Sequence, residues 1–375
     1  MGFGTYSSTG IILVVLTAFL IVLAIKGPPS APTAISSRDS ARLEFICWTI
    51  AIAYLALSIY AVRITHADLT DVYLWQREAT RAFLHGTDPY TVTHENIFGA
   101  QSWYFYPPGA VYEGRVHVGL QYPPLSLLLI VPGYLIGDLR YSAIAALLIT
   151  AYLLFRRRAD RFATLVVAAL LLSPLTFYLI SRGFSEPLVL LTLTCTIVAA
   201  RRRSRWLPLF FAAFLSTKQY CVLALPFAGF LIPSGRGKDY VRLLAIAIGI
   251  SLLLCVPFAI WDFPHFWHDL VLVNFGARLR PESLTFSVLT WKLGWGSIPG
   301  FVIALAVIAA IAWCLVRAPR NPAMFAACFG LVLLVMLALH KQGFINYYFL
   351  VIGSLLVAAR EARIYSTPSV RAPVH

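Results

Sequence analysis

A chain of 375 residues that is 59% hydrophobic and 12% charged departs from soluble domains, in which charged residues make up about 25%. Its net charge of +14 does not mark a nucleic-acid binder, because the basic residues sit in short links between apolar runs, as topology signals do. Those runs approach the roughly 17–20 residues that span a bilayer. They do not alternate, which excludes an outer-membrane barrel.

The first run, Ile11–Ile25, lacks a leading basic cluster, and Lys26-Gly27-Pro28-Pro29 is no small-residue cleavage site. It reads as a retained helix. Further runs follow at Phe45–Val62, Phe162–Ile180, Val241–Ile260, Phe301–Val316 and Met324–Leu339. Basic clusters at Arg156–Arg158, Arg201–Arg205, Arg236–Arg242, Arg317–Arg320 and Arg360–Arg363 place their links on the cytoplasmic side. The loop Arg63–Pro123 then faces outward, and it carries four Arg against six Asp and Glu. The six cysteines fall in or beside apolar runs without ligand spacing, and read as small buried hydrophobes.

Two stretches do not fit simple crossings. Pro124–Phe155 must make one net crossing, yet Gly137-Asp138-Leu139-Arg140 divides it into two apolar runs. One run is expected to be a partial or re-entrant helix. Trp206–Ile232 must start and finish inside, as a hairpin of short helices with Ser216–Tyr220 at its tip. Irregular backbone at membrane depth survives only in protein or beside a wet cavity, so both point to one outward cavity. The expected fold class is all-α: a polytopic membrane protein with about eleven spans, broken helices and an interfacial helix in the first outer loop. Residues 1–43 form the extra helix and its link. Residues 44–365 form the transmembrane domain, with outer loops 63–123 and 261–299, and residues 366–375 form a cytoplasmic tail.

The interfacial helix is predicted from Asp71 to Leu84, where Val72, Trp75, Ala79, Ala82 and Phe83 recur at helical spacing. Thr70 or Asp71 is its N-cap. Asp71 also reads as a general base: Asp68 lies three residues before it, and like charges held close raise one pKa. Polar residues gather at the other outer helix ends: Arg182 and Glu186; Lys218 and Gln219; Arg278, Arg280 and Glu282; His340, Lys341, Gln342 and Asn346. Charged residues at membrane depth mark a site, and Arg and Lys there can hold a phosphate. Pro123-Pro124 can start a helix, since proline suits the first turn. It also aims Gln121 and Tyr122 out of that helix. Trp103, Tyr104, Tyr106 and Tyr112 can stack on a sugar or form an interfacial belt. No P-loop, zinc spacing or GxSxG appears. No cofactor is expected; a divalent ion between Asp68 and Asp71 stays open.

The early aspartate followed by DVYLWQREATRAFLHGTDPY, then QYPPLSLLLIVP, GFSEPLVLL, STKQYCVLALP and KQGFINYYFLV, resembles the polyprenyl-phosphate-mannose-dependent mannosyltransferases of the GT-C superfamily (glycosyltransferase family 87). The resemblance runs from Asp68 to Val351 and implies a bacterial-type cytoplasmic membrane with the active face outward. It implies an inverting transfer of a hexose, mannose by family default, from a polyprenyl-phosphate donor to a glycolipid or envelope-glycan acceptor. An aspartate of the first outer loop would deprotonate the acceptor hydroxyl. Asp71 matches best because Val72 and Tyr73 follow it, and Asp68 is the rival. The phosphate ligands are expected to be Lys218, Arg280 and Lys341. Gln121, Tyr122, Arg182, Glu186, Gln219, His340 and Gln342 would line the cavity. A transporter or flippase for a lipid-linked or small polar substrate is the alternative, since broken helices and cavity charges suit both.

Overall fold

The computed structural model describes residues 37–65, 70–156, 159–233, 235, 237–276 and 278–366. The expected helix Gly10–Ile25, the first part of its link, Asp68 and the tail beyond residue 366 lie outside these; residues 37–43, expected to belong to the link, form the start of a helix. The described chain is mostly helical. In chain order the main helices are α1 (Ser37–Ile64), α2 (Asp71–Leu84), α3 (Pro124–Leu135), α4 (Arg140–Phe155), α5 (Arg161–Leu171), α6 (Pro174–Arg182), α7 (Glu186–Arg201) and α8 (Leu207–Leu215). A 3-10 helix follows at Gln219–Leu231, then α9 (Gly237–Trp261), α10 (Phe286–Lys292), α11 (Gly300–Arg317), α12 (Pro322–Leu339) and α13 (Ile345–Ser366).

Five helices, α1, α9, α11, α12 and α13, are long and apolar enough to cross a membrane alone. Counting each of two bent pairs as one span gives up to seven among the described residues. The chain is a multi-pass membrane protein, but the expectation of eleven spans is corrected. Apolar length in a sequence counts residues without seeing bends. Phe162–Ile180 is two helices, α5 and α6, bent by 41° where Ser173 caps a new start and Pro174 begins it. The pair α3 and α4 turns through 105°.

The second bend is fixed at Arg140. Arg140, at the start of α4, is 4% exposed. Its guanidinium donates to the carbonyls of Val62 (2.9 Å) and Ser181 (3.1 Å). Those carbonyls belong to the ends of α1 and α6, so α4 starts level with them. The bend near a right angle turns α3 away from the direction of α4, and α2 packs against α3.

The expected hairpin is present as α8 and the 3-10 helix. Its tip is not a surface loop: Ser216, Thr217 and Lys218 are at most 3% exposed. A 13-residue 3-10 helix is unusual, since such runs rarely exceed about four residues. At roughly 2.0 Å per residue it covers about 26 Å, which returns the chain toward the far end with few residues.

The two long loops expected to face outward, 63–123 and 261–299, hold regular structure of their own. A three-stranded antiparallel sheet, β1 (His94–Glu95), β2 (Val111–Tyr112) and β3 (Arg115–Val116), has the order β1-β3-β2, with His94 opposite Val116. This is a small exception to the all-α expectation. The second loop holds short helical segments at Phe263–Trp267, His268–Leu272 and Val273–Gly276, as well as α10. At the far end, two of the residues read as link charges are interior. Arg360 and Glu361 are 1% and 0% exposed, Arg360 pairs with Asp160 at 3.1 Å, and Glu361 pairs with Arg201. They join α5, α7 and α13 through buried ion pairs.

Candidate functional site

The site is built on the docking of α2. Thr70 is its N-cap, accepting from the Tyr73 amide at 3.4 Å while donating to the Arg182 carbonyl at 2.8 Å. Gln76 is buried and donates to the Gly183 carbonyl at 3.0 Å. Gly183 ends α6 at φ +70, and a Cβ there would meet the Tyr73 ring at 2.8 Å. Glycine is therefore needed both for the left-handed turn and for the close approach. Because Thr70 supplies the cap, Asp71 falls at the first helical position. One carboxylate oxygen, Oδ1, accepts the Val72 amide at 2.8 Å, and the other, Oδ2, accepts the Tyr106 hydroxyl at 3.4 Å. Tyr106 is 4% exposed. Its phenol is held protonated far above the ordinary tyrosine range, first by burial and then by the Asp71 charge.

Arg280 reaches the same turn of chain from the second outer loop. Its guanidinium stands 4.3 Å from the Phe105 ring centroid and 5.0 Å from Phe344, and its Nε pairs with Glu282 at 2.5 Å. The Arg280 charge acts on Tyr106, opposing Asp71. Lys341 sits beside it: the Arg280 amide donates to the Lys341 carbonyl at 3.3 Å, and the Lys341 amine donates to the Phe275 carbonyl at 3.1 Å. Burial pulls the Lys341 amine below its ordinary value. His340 Nδ1 accepts the Gln342 amide at 3.2 Å, and Gln342 Nε2 donates to the Arg278 carbonyl at 2.8 Å. Both side chains thus brace the loop between α12 and α13. Burial likewise lowers His340.

Tyr122 borders a second cluster. Its ring meets Trp75 edge-on at 4.6 Å, and its carbonyl accepts the Tyr90 hydroxyl at 2.8 Å. Its phenol is raised by burial, then by Glu186, with Asp71 a smaller contributor, so both carboxylates act on it. Behind it, Lys218 lies 2.5 Å from Glu186 Oε1 and 4.2 Å from the Tyr122 ring, with Tyr220 and Tyr347 at 5.7 and 5.5 Å. Asn346 donates to the same Glu186 oxygen at 2.9 Å. Gln219 donates to the carbonyls of Gln121 and Leu270, tying the hairpin tip to both outer loops.

Most of the expected residues therefore converge: Asp71, Gln121, Tyr122, Glu186, Lys218, Gln219, Arg280 and Lys341. The Arg182 side chain does not. It packs on Tyr178, which is 41% exposed, and only its carbonyl serves the site. The Lys218 charge is already matched by Glu186. Sequence reading passed over Arg140, Asp138 and Asp269. The Asp269 carboxylate is 2% exposed, accepts the Gly119 amide at 2.6 Å, and is raised to about 6 by burial. An aspartate in the otherwise apolar FWHDLVLV is the signal that could have found it. Among the described residues, no group of three or more His, Cys, Asp or Glu is placed to hold a metal ion.

Compared with protein-family models, with curated proteins and with solved structures, the chain matches none.

Proposed function

We propose that this protein transfers a sugar from a polyprenyl-phosphate donor to a hydroxyl of a glycolipid or envelope glycan, at the membrane end that carries Asp71. One observation carries the reading: Asp71 and Arg280, far apart in sequence, both reach the Phe105–Tyr106 turn, Asp71 at the Tyr106 hydroxyl and Arg280 at the Phe105 ring. A carboxylate and a fixed cation gathered on one turn of chain are what this transfer needs. Asp71 takes the proton of the acceptor hydroxyl, and that oxygen attacks the anomeric carbon. The bond from that carbon to the phosphate oxygen breaks, and the polyprenyl phosphate leaves. Arg280 and Lys341 stabilise the charge that develops on the leaving phosphate. Lys218 is reassigned. Enclosed with Glu186 in a fully buried pair, it holds Tyr122 in place and leaves the phosphate to the two more accessible cations. Mannose remains the default sugar on the strength of the sequence resemblance.

The test uses purified full-length protein and a labelled polyprenyl-phosphate sugar. Asp71→Asn is expected to lower transfer by about 10²–10⁴-fold, the range for losing a general base, with donor binding kept. Wild-type turnover by that variant would remove Asp71 as the base.

The buried Lys218–Glu186 pair favours a second reading, a transporter, since charge pairs at membrane depth also serve as coupling sites. Substrate uptake into proteoliposomes without any transfer product would favour it.

A further inference from the structure

The outward stripe of α2 continues past Asp71. Residues 71, 78, 82 and 85 share one helical face, and Glu78 stands roughly 10 Å beyond Asp71 at about 1.5 Å per residue. Past Glu78 the face opens into a groove of about 340 Å³, lined by Glu78, Arg81, Ala82, His85, Thr87, Val92 and Thr93. The helix end makes its wall. Gly86 at φ +73 turns the chain back, and the Thr87 amide donates to the Ala82 carbonyl at 2.9 Å. The opposite wall is the chain entering β1, where Arg115 donates to both Thr93 oxygens.

α2 packs against β1, whose His94 is buried. His94 Nδ1 lies 3.0 Å from the Glu95 carbonyl, and Nε2 has no partner among the described residues. Its ring faces Tyr106 edge-on at 6.2 Å. A buried polar nitrogen with no partner requires explanation; the Asp71 charge and the Glu78 charge of the groove both act on this ring, and Thr93 of the groove precedes it in the chain.

The lining chooses the ligand. The lining holds one carboxylate and one guanidinium, and the Glu78 carboxylate is already engaged by Arg77 at 3.1 Å. Hydroxyl, carboxylate, guanidinium and imidazole groups together offer donors and acceptors to a neutral polyol. The open mouth admits a chain longer than one ring. We propose that this groove is an acceptor subsite for a neutral oligosaccharide, which it threads past His94 so that the terminal hydroxyl reaches Asp71. The proposal rests on the sugar-transfer reading for its purpose, though not for its binding.

Mannotriose is the probe, titrated into the full chain in detergent without donor and followed by calorimetry. Saturable binding is expected in the millimolar range or tighter. The variant Glu78→Gln/Thr87→Val should weaken it about tenfold, since each lost hydrogen bond is worth about 0.5–1.5 kcal/mol. In transfer assays the same variant should raise the acceptor KM by a similar factor and leave the donor KM within about twofold. His94→Ala should raise the acceptor KM, with His94→Gln restoring part of it. No saturable binding by the wild-type chain, or binding that the variants leave unchanged, overturns the groove. Binding that the variants weaken, in a protein that transfers nothing from any polyprenyl-phosphate sugar, supports the groove and overturns the transfer reading instead.

Discussion

Lys218 Nζ lies 2.5 Å from Glu186 Oε1, in a site where the two side chains are 1% and 0% exposed. A buried pair of this kind contributes little net stability, because desolvation offsets the attraction, but removing one partner leaves an uncompensated charge. Three tyrosine rings surround the amine, and Asn346 adds a donor to the carboxylate. The pair therefore sets the position of Tyr122, and through it one wall of the Asp71 site.

Lys218→Met alone should destabilise the protein by about 3–5 kcal/mol, the range for breaking a buried pair. Lys218→Met with Glu186→Gln should recover most of that loss. Thermal unfolding in detergent measures both, and a double variant no better than the single one would show that the pair is not coupled.

Tyr106→Phe removes the hydroxyl that donates to Asp71. The expected result is a fall of about threefold to tenfold in kcat, from one hydrogen bond of about 0.5–1.5 kcal/mol. Donor KM should stay the same. A change confined to donor KM would place Tyr106 on the phosphate side.

Arg280 is held by two aromatic faces and one carboxylate. Arg280→Lys keeps the charge but loses the planar stack and the forked donors. Donor KM should rise about tenfold, and Arg280→Ala should raise it further. Equal values for Lys and wild type would mean that only a point charge is needed there.

The Asp269 carboxyl couples the second outer loop to the first through Gly119, with His268 Nδ1 at 2.7 Å and His265 nearby. Its folded-state value is raised from 3.8 to about 6, so the folded protein holds this proton more tightly than the unfolded chain. The favourable contribution is therefore complete at low pH and is lost as pH rises from 3.8 through about 6. Protection of the Gly119 amide, taken relative to the intrinsic exchange rate at each pH, should fall across that window, and Asp269→Asn should flatten the response. Gly119→Ala should undock the loops at every pH, since its Cβ would lie 2.3 Å from the Tyr90 carbonyl. Protection independent of pH in the wild type would remove Asp269 as the coupling group.

Much of the site was legible because its residues break local patterns. Lys218 and Gln219 interrupt an apolar hairpin, and Pro123-Pro124 start α3 where expected, with Pro123 as cap and Pro124 at the first position. The α2 helix was legible from its period and matches its predicted bounds, Asp71–Leu84. What could not be read was pairing. Nothing in the chain order says that Glu186 neutralises Lys218, or that the Arg182 side chain turns away onto Tyr178. Nor does spacing reveal that Arg360 and Glu361 are interior, because a charged residue near a helix end reads as a link until a partner is found for it.

Sequence alone determined the apolar helices, the basic links and the polar clusters at helix ends, because these follow from local hydropathy and from periodicity along one segment. Only the tertiary structure decided where the apolar runs bend, how Pro124–Phe155 divides into α3 and α4, and which charges cancel. Those outcomes depend on bends at single turns and on contacts between residues such as Asp71, Tyr106 and Arg280, which the chain keeps apart and only packing brings together.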